Sequence, residues 1–241
     1  MKSIIVTGNN GEIGKEIKKH LNSCGYKVIG IDKDNQENDQ NIKFDLDNLQ
    51  SNKSYIKLKK ELFKRISNDD CIALINNAAV QILSNLEDLE ISDFRKSMSV
   101  NVEAPLILSK MLLPKLKESK GNIINIGSIH INLTKPSYLS YATSKAALLG
   151  LTKSMAVEIG NKVKVNMISP AAINTKMLID GFEGHKKKLL SLKDYHPTLE
   201  LGTTSEIAKL IECIIKSDIN FLNGSNITLD GGISSRLHDP V

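Results

Sequence analysis

The chain has 241 residues, of which 41% are hydrophobic, and a formal net charge of +5. This length is within the range of one domain, and the hydrophobic content is enough to bury a substantial core. No run approaches the roughly 20 apolar residues of a membrane span, and residues 1–14 lack the apolar centre of a secretory signal. We therefore expect a cytoplasmic protein with no membrane partner.

Neither the cysteines nor the lysines point to a metal or a nucleic acid. Cys24, Cys71 and Cys213 are odd in number, far apart and without paired spacing, so they predict neither a disulfide framework nor a zinc site. The lysines are spread along the chain, and their densest group, HKKKLL at 185–190, is typical of a solvated helix face, with an anion contact as the less favoured alternative. We expect no metal and no nucleic-acid partner.

Strand-like and helix-like segments alternate along the chain. The order is KSIIVTG as a strand, 12–25 as a helix, YKVIGID and NIKFDL as strands, 58–66 as a helix, 71–79 as a strand, 93–119 as one helix, 121–128 as a strand, a helix that begins near Tyr141, and 162–170 as a strand. This alternation predicts a Rossmann-type α/β fold, a doubly wound parallel sheet in a single domain spanning 1–241. Residues 174–202 interrupt the pattern and predict a mobile substrate flap.

The ends of the first two strands carry the features of a dinucleotide site, since ligands lie beyond the carboxyl ends of parallel strands. The loop TGNNGEIG at 7–14 has glycines at three positions, which permit a tight turn and bring a pyrophosphate close to the N-terminus of the next helix. The second strand ends in Asp32, whose carboxylate can accept both ribose hydroxyls of adenosine and would repel a 2′-phosphate. This predicts NAD as the cofactor, with NADP less favoured. A turn aspartate is the alternative for Asp32, and the adjacent Lys33 opposes the preference.

The later strand ends supply further polar groups. Asp45 follows the third strand and could accept from the adenine amino group or cap the next helix. The fourth strand ends in NNAA at 76–79, whose amides can bond neighbouring backbone, and the fifth ends at Ser128, whose hydroxyl could hold a substrate oxygen.

Tyr141 and Lys145 stand four residues apart on a predicted helix, so their side chains lie one above the other. A phenol has a pKa of about 10 in water, and a nearby cation lowers it. The pair therefore predicts a device that handles protons, with Lys145 lowering the pKa of Tyr141.

Together these motifs resemble the short-chain dehydrogenase/reductase superfamily in its single-domain branch. The motifs that carry the resemblance are TGNNGEIG, NNAA, Asn101 in SVNVEAP, Ser128 in INIGS, YATSK at 141–145, ISPAAINT at 168–175 and ITLDGG at 227–232. The chain departs from the family pattern at Glu12, Ala79 and Ala171, where the family usually has glycine.

The resemblance implies an NAD(P)-dependent oxidoreductase that acts on a secondary alcohol or its ketone. It implies that Tyr141 exchanges a proton with the substrate oxygen and that Ser128 orients this oxygen. Lys145 would serve both the phenol and the nicotinamide ribose, and Asn101 would hold a water that links Lys145 to solvent. The implied cofactor contacts are Gly8, Asn10, Gly11, Ile13, Gly14, Asp32, Asp45, Leu46, Asn77, Ala78, Tyr141, Lys145, Pro170, Ala172, Ile173 and Thr175.

The assembly and the substrate are specified less sharply. The helix after Tyr141 is apolar around more of its circumference than one sheet contact requires, and related enzymes are often tetramers, so we expect a homo-oligomer, a dimer or a homotetramer. Residues 131–140 and 174–202 are expected to line the substrate site, and His130 is left outside the predicted site. Two alternatives stay open: a sugar-nucleotide-modifying relative, suggested by the glycine spacing, and a non-catalytic NAD(H)-binding sensor, suggested by the basic charge.

Overall fold

A single sheet of parallel strands forms the centre of the fold. The structure is a computed structural model that describes residues 1–66, 69–180, 182, 187, 191–217 and 219–237. Its seven described strands are β1 (Lys2–Thr7), β2 (Lys27–Asp32), β3 (Asn41–Lys43), β4 (Asp70–Asn76), β5 (Asn122–Ile126), β6 (Lys164–Pro170) and β7 (Asn226–Leu229). Their order is β3-β2-β1-β4-β5-β6-β7, and it reverses beside β1, where a doubly wound sheet opens a crevice for ligands. The predicted Rossmann-type fold in a single domain is confirmed.

Helices cover both faces of this sheet. The helices that the structure describes are α1 (Glu12–Ser23), α2 (Asn52–Arg65), α3 (Ile91–Met98), α4 (Ala104–Glu118), α5 (Leu139–Ile159), α6 (Lys176–Asp180) and α7 (Thr204–Lys216). Side chains of α2, α4 and α5 pack with Ile5 on one face, while side chains of α1 and α7 pack with Ile4 on the other. Successive strand residues point to opposite faces, so burial of both faces explains why the strands are continuous apolar runs.

The long helix predicted at 93–119 is interrupted in the structure. A π-helical turn, Ser99–Glu103, joins α3 to α4, and Asn101 lies on it. A π-turn accommodates one extra residue within a helix and is frequent at functional sites. Hydrophobic spacing does not reveal such a turn, because the residues on either side keep their helical pattern.

The third predicted strand is shorter than NIKFDL suggested. Only Asn41–Lys43 pairs with β2. The Asp45 side chain accepts a hydrogen bond from the Asp47 backbone N–H and caps a 3-10 helix, Leu46–Asn48, so the chain leaves the sheet at Phe44. Helix α7 and strand β7 are additional to the elements that the sequence analysis assigned.

The segment predicted as a flap is described only in part. Helix α6 and a 3-10 helix, Leu192–Tyr195, lie within it. The group HKKKLL at 185–190 lies outside the described residues, apart from residue 187. Among the described helices, none combines the length and the apolar character that crossing a membrane requires.

The glycine loop packs too tightly for side chains at two of its positions. Gly8 has a φ of +68°, and a Cβ there would lie 2.8 Å from the Ala78 Cα. A Cβ at Gly14 would lie 2.1 Å from the Gly8 carbonyl oxygen, whereas a Cβ at Gly11 would lie 3.4 Å from the same oxygen. The loop is therefore pressed against both the start of α1 and the end of β4.

This packing predicts unequal effects of alanine in the loop. Gly14→Ala should lower the free energy of unfolding by roughly 1–3 kcal/mol, because the backbone must shift to admit the Cβ. Gly11→Ala is the matched control and should change it by less than about 1 kcal/mol, since it costs only a helix-capping preference. Urea unfolding followed by circular dichroism measures both, and equal losses in the two variants would contradict the close approach.

Candidate active site

A cavity of about 1210 Å³ opens at the carboxyl ends of the strands. Its walls include every residue predicted from the family resemblance to contact the cofactor, from Gly8 in the glycine loop to Thr175 after β6. Ser128 also lines it, and so do parts of both segments that were expected to surround the substrate. Asn101 is the one predicted site residue that does not line the cavity.

The loop at one end of this cavity fits the pyrophosphate of a dinucleotide. Gly11 is the N-cap of α1 and makes no side-chain capping bond, so no side chain at that position covers the first backbone N–H groups of the helix. Those groups and the helix dipole attract an anion. The absence of Cβ atoms at Gly8 and Gly14 lets the loop lie close to the floor of the cavity.

Asn77 and Thr7 fasten the glycine loop to the end of β4. The Asn77 side chain donates to the carbonyl oxygens of Thr7 (2.9 Å) and Gly8 (3.2 Å). In return, the Thr7 hydroxyl accepts from the backbone N–H groups of Asn77 and Ala78, both at 3.0 Å. The NNAA motif thus bonds neighbouring backbone, as its amides suggested, and Thr7 is a contributor that the sequence analysis did not single out.

The Asp32 carboxylate lies at the end of β2, in the wall of the cavity, and is only partly buried. One oxygen accepts from the Asn10 backbone N–H (3.1 Å), and the other accepts from the Asp34 backbone N–H (2.9 Å). The bond from Asp34 is a local turn contact, as expected if Asp32 were only a turn aspartate. The bond from Asn10 connects the carboxylate to the glycine loop. Lys33 is exposed and also lines the cavity.

Tyr141 lies in the first turn of α5 and lines the cavity together with Ser128. Burial raises the pKa of Tyr141 to about 12, and the nearby Ser128 hydroxyl acts in the opposite direction without reversing it. The sequence-based prediction that Lys145 lowers this pKa is therefore wrong for the protein as described here. The ammonium is directed elsewhere, and desolvation dominates.

The ammonium of Lys145 is buried inside the protein, with 2% of the residue exposed. It donates to the Ile126 carbonyl oxygen at 2.7 Å and lies 5.6 Å from the centre of the Tyr141 ring. Burial lowers the pKa of Lys145 to about 8. An ammonium has three donors, so the Ile126 bond leaves further donors on a residue that lines the cavity.

Asn101 is buried behind the cavity wall, and its amide is committed to protein partners. Its oxygen accepts from the Val80 backbone N–H (2.8 Å). Its nitrogen donates to the Val80 carbonyl (2.9 Å) and to the Ser144 hydroxyl (2.9 Å). Ser144 in turn donates to the Tyr141 carbonyl oxygen at 2.8 Å. Both N–H donors of the amide are used, so this side chain connects the end of β4 to the turn of α5 that carries Tyr141.

His130 belongs to the cavity wall, although the sequence motifs do not predict it as a site residue. Its ring stacks on Tyr138 with centroids 4.6 Å apart and meets Tyr141 edge-on at 5.8 Å. Burial, followed by the nearby Lys135, lowers the pKa of His130, which favours a neutral ring. In the sequence, the signal that could have placed His130 in the site is its position two residues after Ser128.

Glu12 and His196 make contacts at the cavity that no sequence motif indicated. The Glu12 carboxylate accepts a hydrogen bond from the backbone N–H of Lys176, which joins the start of α1 to the start of α6. His196 is 2% exposed, and its Nδ1 lies 3.0 Å from the Leu192 carbonyl oxygen. Among the described residues its Nε2 has no hydrogen-bond partner. The Glu12 contact joins the start of α1 to the segment 174–202, whereas the His196 contact lies within that segment.

Comparisons with known proteins agree with this geometry over nearly the whole chain. A family model described as enoyl-(acyl carrier protein) reductase matches residues 8–234. The 3-oxoacyl-[acyl-carrier-protein] reductase FabG of Buchnera aphidicola subsp. Baizongia pistaciae is 30% identical over 245 residues, which cover 96% of this chain and 97% of that protein.

Two solved structures are similar in both sequence and fold. The 4-hydroxyisoleucine dehydrogenase complexed with NADH is 30% identical, with a TM-score of 0.87 and coverage of 98% of this chain and 100% of that one. ElxO with NADP bound is 25% identical, with a TM-score of 0.85 and coverage of 98% and 99%. The chain therefore belongs to the short-chain dehydrogenase/reductase family, and it is an NAD(P)-dependent oxidoreductase that acts on the alcohol or ketone group of a small-molecule substrate.

Proposed function

We propose that Tyr141 exchanges a proton with the oxygen of a secondary alcohol or ketone and that Ser128 hydrogen-bonds the same oxygen. The observation that carries this proposal is that Tyr141 and Ser128 line the same cavity, with the Ser128 hydroxyl near enough to the phenol to act on its pKa. A substrate oxygen placed against both would take the Tyr141 proton in reduction and return it in oxidation. The nicotinamide cofactor, when bound, supplies or accepts the hydride.

Lys145 is proposed to bind the nicotinamide ribose and to act on the phenol once the cofactor is present. Its pKa of about 8 leaves it mostly protonated at neutral pH. The donors not used by Ile126 are available for a ribose hydroxyl on the cavity side. This intact, buried pair of Tyr141 and Lys145 favours turnover over the alternative of a cofactor-binding sensor.

Asn101 is proposed as a positioning residue rather than the holder of a water by its side chain. Both N–H donors of its amide are used by Val80 and Ser144, and its oxygen accepts from the Val80 backbone N–H. Through Ser144 it fixes the turn of α5 from which Tyr141 and Lys145 project. The proposed role is to keep these two side chains at a constant separation.

The preferred cofactor is proposed to be NAD(H). Asp32 places a carboxylate at the end of β2, where a 2′-phosphate would meet negative charge. The loop from Gly8 to Gly14 adds no cation, and Lys33 is a single exposed ammonium, which seldom replaces the paired donors that a phosphate requires. The NADH-bound and NADP-bound relatives leave both choices open to this family.

Three further proposals concern the whole molecule. Residues 174–202 act as a flap over the substrate, supported by their contribution to the cavity wall.

The chain self-associates as a dimer or tetramer through α4 and α5, supported by exposed apolar side chains on them: Leu106 is 45% exposed and Val157 is 86% exposed. A cytoplasmic location is supported by the three free thiols.

The proton-transfer proposal predicts that Tyr141→Phe loses turnover and keeps cofactor binding. A panel of polyols, sugars, hydroxy acids and hydroxyacyl thioesters with NAD⁺ first identifies a substrate for the wild type. With that substrate, kcat should fall roughly 10²–10⁴-fold, the usual contribution of a positioned proton donor. NADH affinity, measured by fluorescence titration, should stay within a few-fold of the wild type.

Tyr55→Phe is the matched control for this prediction. Tyr55 lies on α2 and is not among the residues that line the cavity. Its kcat should change little. A Tyr141→Phe enzyme with wild-type kcat would rule out Tyr141 as the proton donor.

The cofactor proposal predicts that the wild type binds NADH more tightly than NADPH. Asp32→Ala should narrow the gap by about tenfold or more, because NADH loses a charged acceptor and NADPH loses a repulsion. Asp34→Ala, which removes an exposed carboxylate in the same wall, is the control and should leave the ratio unchanged. Tighter binding of NADPH by the wild type would show that Lys33, and not Asp32, governs the pocket.

The buried ammonium predicts a specific pH dependence of stability. The pKa of Lys145 is about 8 in the folded protein and 10.5 as its ordinary value. Between these values the unfolded chain binds more protons, so stability rises with pH in this window. From pH 7 to pH 9 the wild type should gain about 1 kcal/mol of unfolding free energy relative to Lys145→Met.

Urea unfolding at a series of pH values tests this dependence. Lys153→Met removes an exposed lysine from the same helix and should follow the wild type at every pH. Parallel curves for the wild type and Lys145→Met would show that the ammonium is not desolvated.

A further inference from the structure

Three side chains with metal-binding atoms meet on the face of the sheet covered by α1 and α7, apart from the residues that line the cavity. His20 lies in the last turn of α1, Cys24 is the residue that caps its C-terminus, and Glu212 projects from α7. Their nitrogen, sulfur and oxygen atoms all lie within 4.8 Å of one another, and all three residues are partly buried. The His20 Nε2 is 2.6 Å from a Glu212 oxygen and 3.9 Å from the Cys24 sulfur.

We propose that His20, Cys24 and Glu212 form a binding site for a zinc ion, which fastens α1 to α7. The three supply one imidazole nitrogen, one thiolate and one carboxylate oxygen, a donor set that Zn²⁺ accepts, and a water molecule completes the tetrahedron. The site lies outside the cavity and has no part in the redox reaction.

The present distances are close to those that the ion requires. Zinc–nitrogen and zinc–oxygen bonds of about 2.0–2.2 Å and zinc–sulfur bonds of about 2.3 Å give tetrahedral ligand separations of roughly 3.3–3.7 Å. The nitrogen–oxygen pair, now 2.6 Å apart, must open by less than about 1 Å, and the nitrogen–sulfur pair at 3.9 Å must close slightly. Rotations of the side chains can supply such movements because the two helices already pack together.

The backbone arrangement favours a cation at this point. His20 and Cys24 are four residues apart, so they share one face of α1. They stand at the C-terminus of the helix, where the last carbonyl groups give a negative potential. Glu212 adds a carboxylate from α7, and 192 residues separate it from His20 in the chain. That separation explains why no cysteine–histidine spacing marks the site in the sequence.

The same three residues could instead form a network of hydrogen bonds and ion pairs that binds no metal. The second oxygen of Glu212 accepts from Lys216 at 2.5 Å, and this pair can persist with zinc on the first oxygen. The hydrogen bond between His20 and Glu212 is replaced when zinc binds, and the Cys24 thiol releases its proton to solvent. A network without a metal function would show no ion-specific stabilisation.

The test uses the full chain after treatment with a chelator and dialysis. Calorimetric titration with zinc chloride should show one ion per chain. Because the ion binds only the folded state, a hundredfold excess of free zinc over Kd should raise Tm by roughly 5 °C or more. Cobalt(II) in place of zinc should give a thiolate-to-cobalt charge-transfer band and the strong visible bands of a tetrahedral ion.

Single substitutions identify the ligands. Cys24→Ser should abolish the charge-transfer band, and His20→Gln should weaken zinc binding at least tenfold. Cys213→Ser is the matched control, because Cys213 is an exposed thiol next to Glu212 in the chain, and it should keep the affinity and the band. NADH titration shows that each variant is folded.

Two results would overturn the proposal. One is wild-type protein that binds no zinc stoichiometrically. The other is a site that survives Cys24→Ser but disappears in Cys213→Ser, since zinc would then be held by the exposed thiol. Neither result bears on the roles of Tyr141 and Asp32, so the two proposals fail separately.

Discussion

The parallel alignment of the strands is the constraint on which the site depends. Each parallel connection must cross back over the sheet, and here the crossing helices bury both faces. All the carboxyl ends therefore lie at one edge of the described sheet. Asp32 and Ser128, which are distant in the chain, line one cavity for this reason. The hydrophobic packing of residues such as Ile4 and Ile5 holds the strands in position. It thereby fixes the positions of polar groups at the strand ends without contacting them.

At this edge, the ammonium of Lys145 is buried at a cost in free energy. A pKa lowered from 10.5 to about 8 corresponds to a cost of roughly 3 kcal/mol for keeping the charged form out of water. The Ile126 carbonyl offsets part of the desolvation through its short hydrogen bond. Asn101 and Ser144 hold the adjoining turn of α5 through bonds that satisfy both amide donors. The surrounding structure therefore holds a charge in an unfavourable, desolvated position. Such unfavourable local arrangements are common at ligand-binding sites.

The sequence predicted the sheet and most of the cavity because these depend on local signals. Apolar runs such as the one at Ile4 and Ile5 reflect burial on both faces, and the spacing of Gly8 and Gly14 reflects a close backbone approach. Each of these signals lies within a few residues of the structural feature that it predicts.

What the sequence did not predict depends on distant neighbours. The π-turn at Asn101 is coupled to Val80 and Ser144, and the pKa of Tyr141 rises because of burial that spacing alone does not reveal. A pair at i and i+4 fixes which side of the helix the two groups share. It does not fix where the ammonium points, and here it points at a strand carbonyl, Ile126. The cluster around His20 went unnoticed for the same reason, since one ligand comes from the far end of the chain.

Glu12 shows how one departure from the family pattern changes the electrostatics of the cofactor end. Its carboxylate begins α1, where the helix dipole favours an anion, and it accepts from the Lys176 backbone N–H. A pyrophosphate bound at the same helix N-terminus would meet this negative charge. The same side chain also connects the glycine loop to the segment 174–202. Glycine at this position could not make that connection, because it has no side chain.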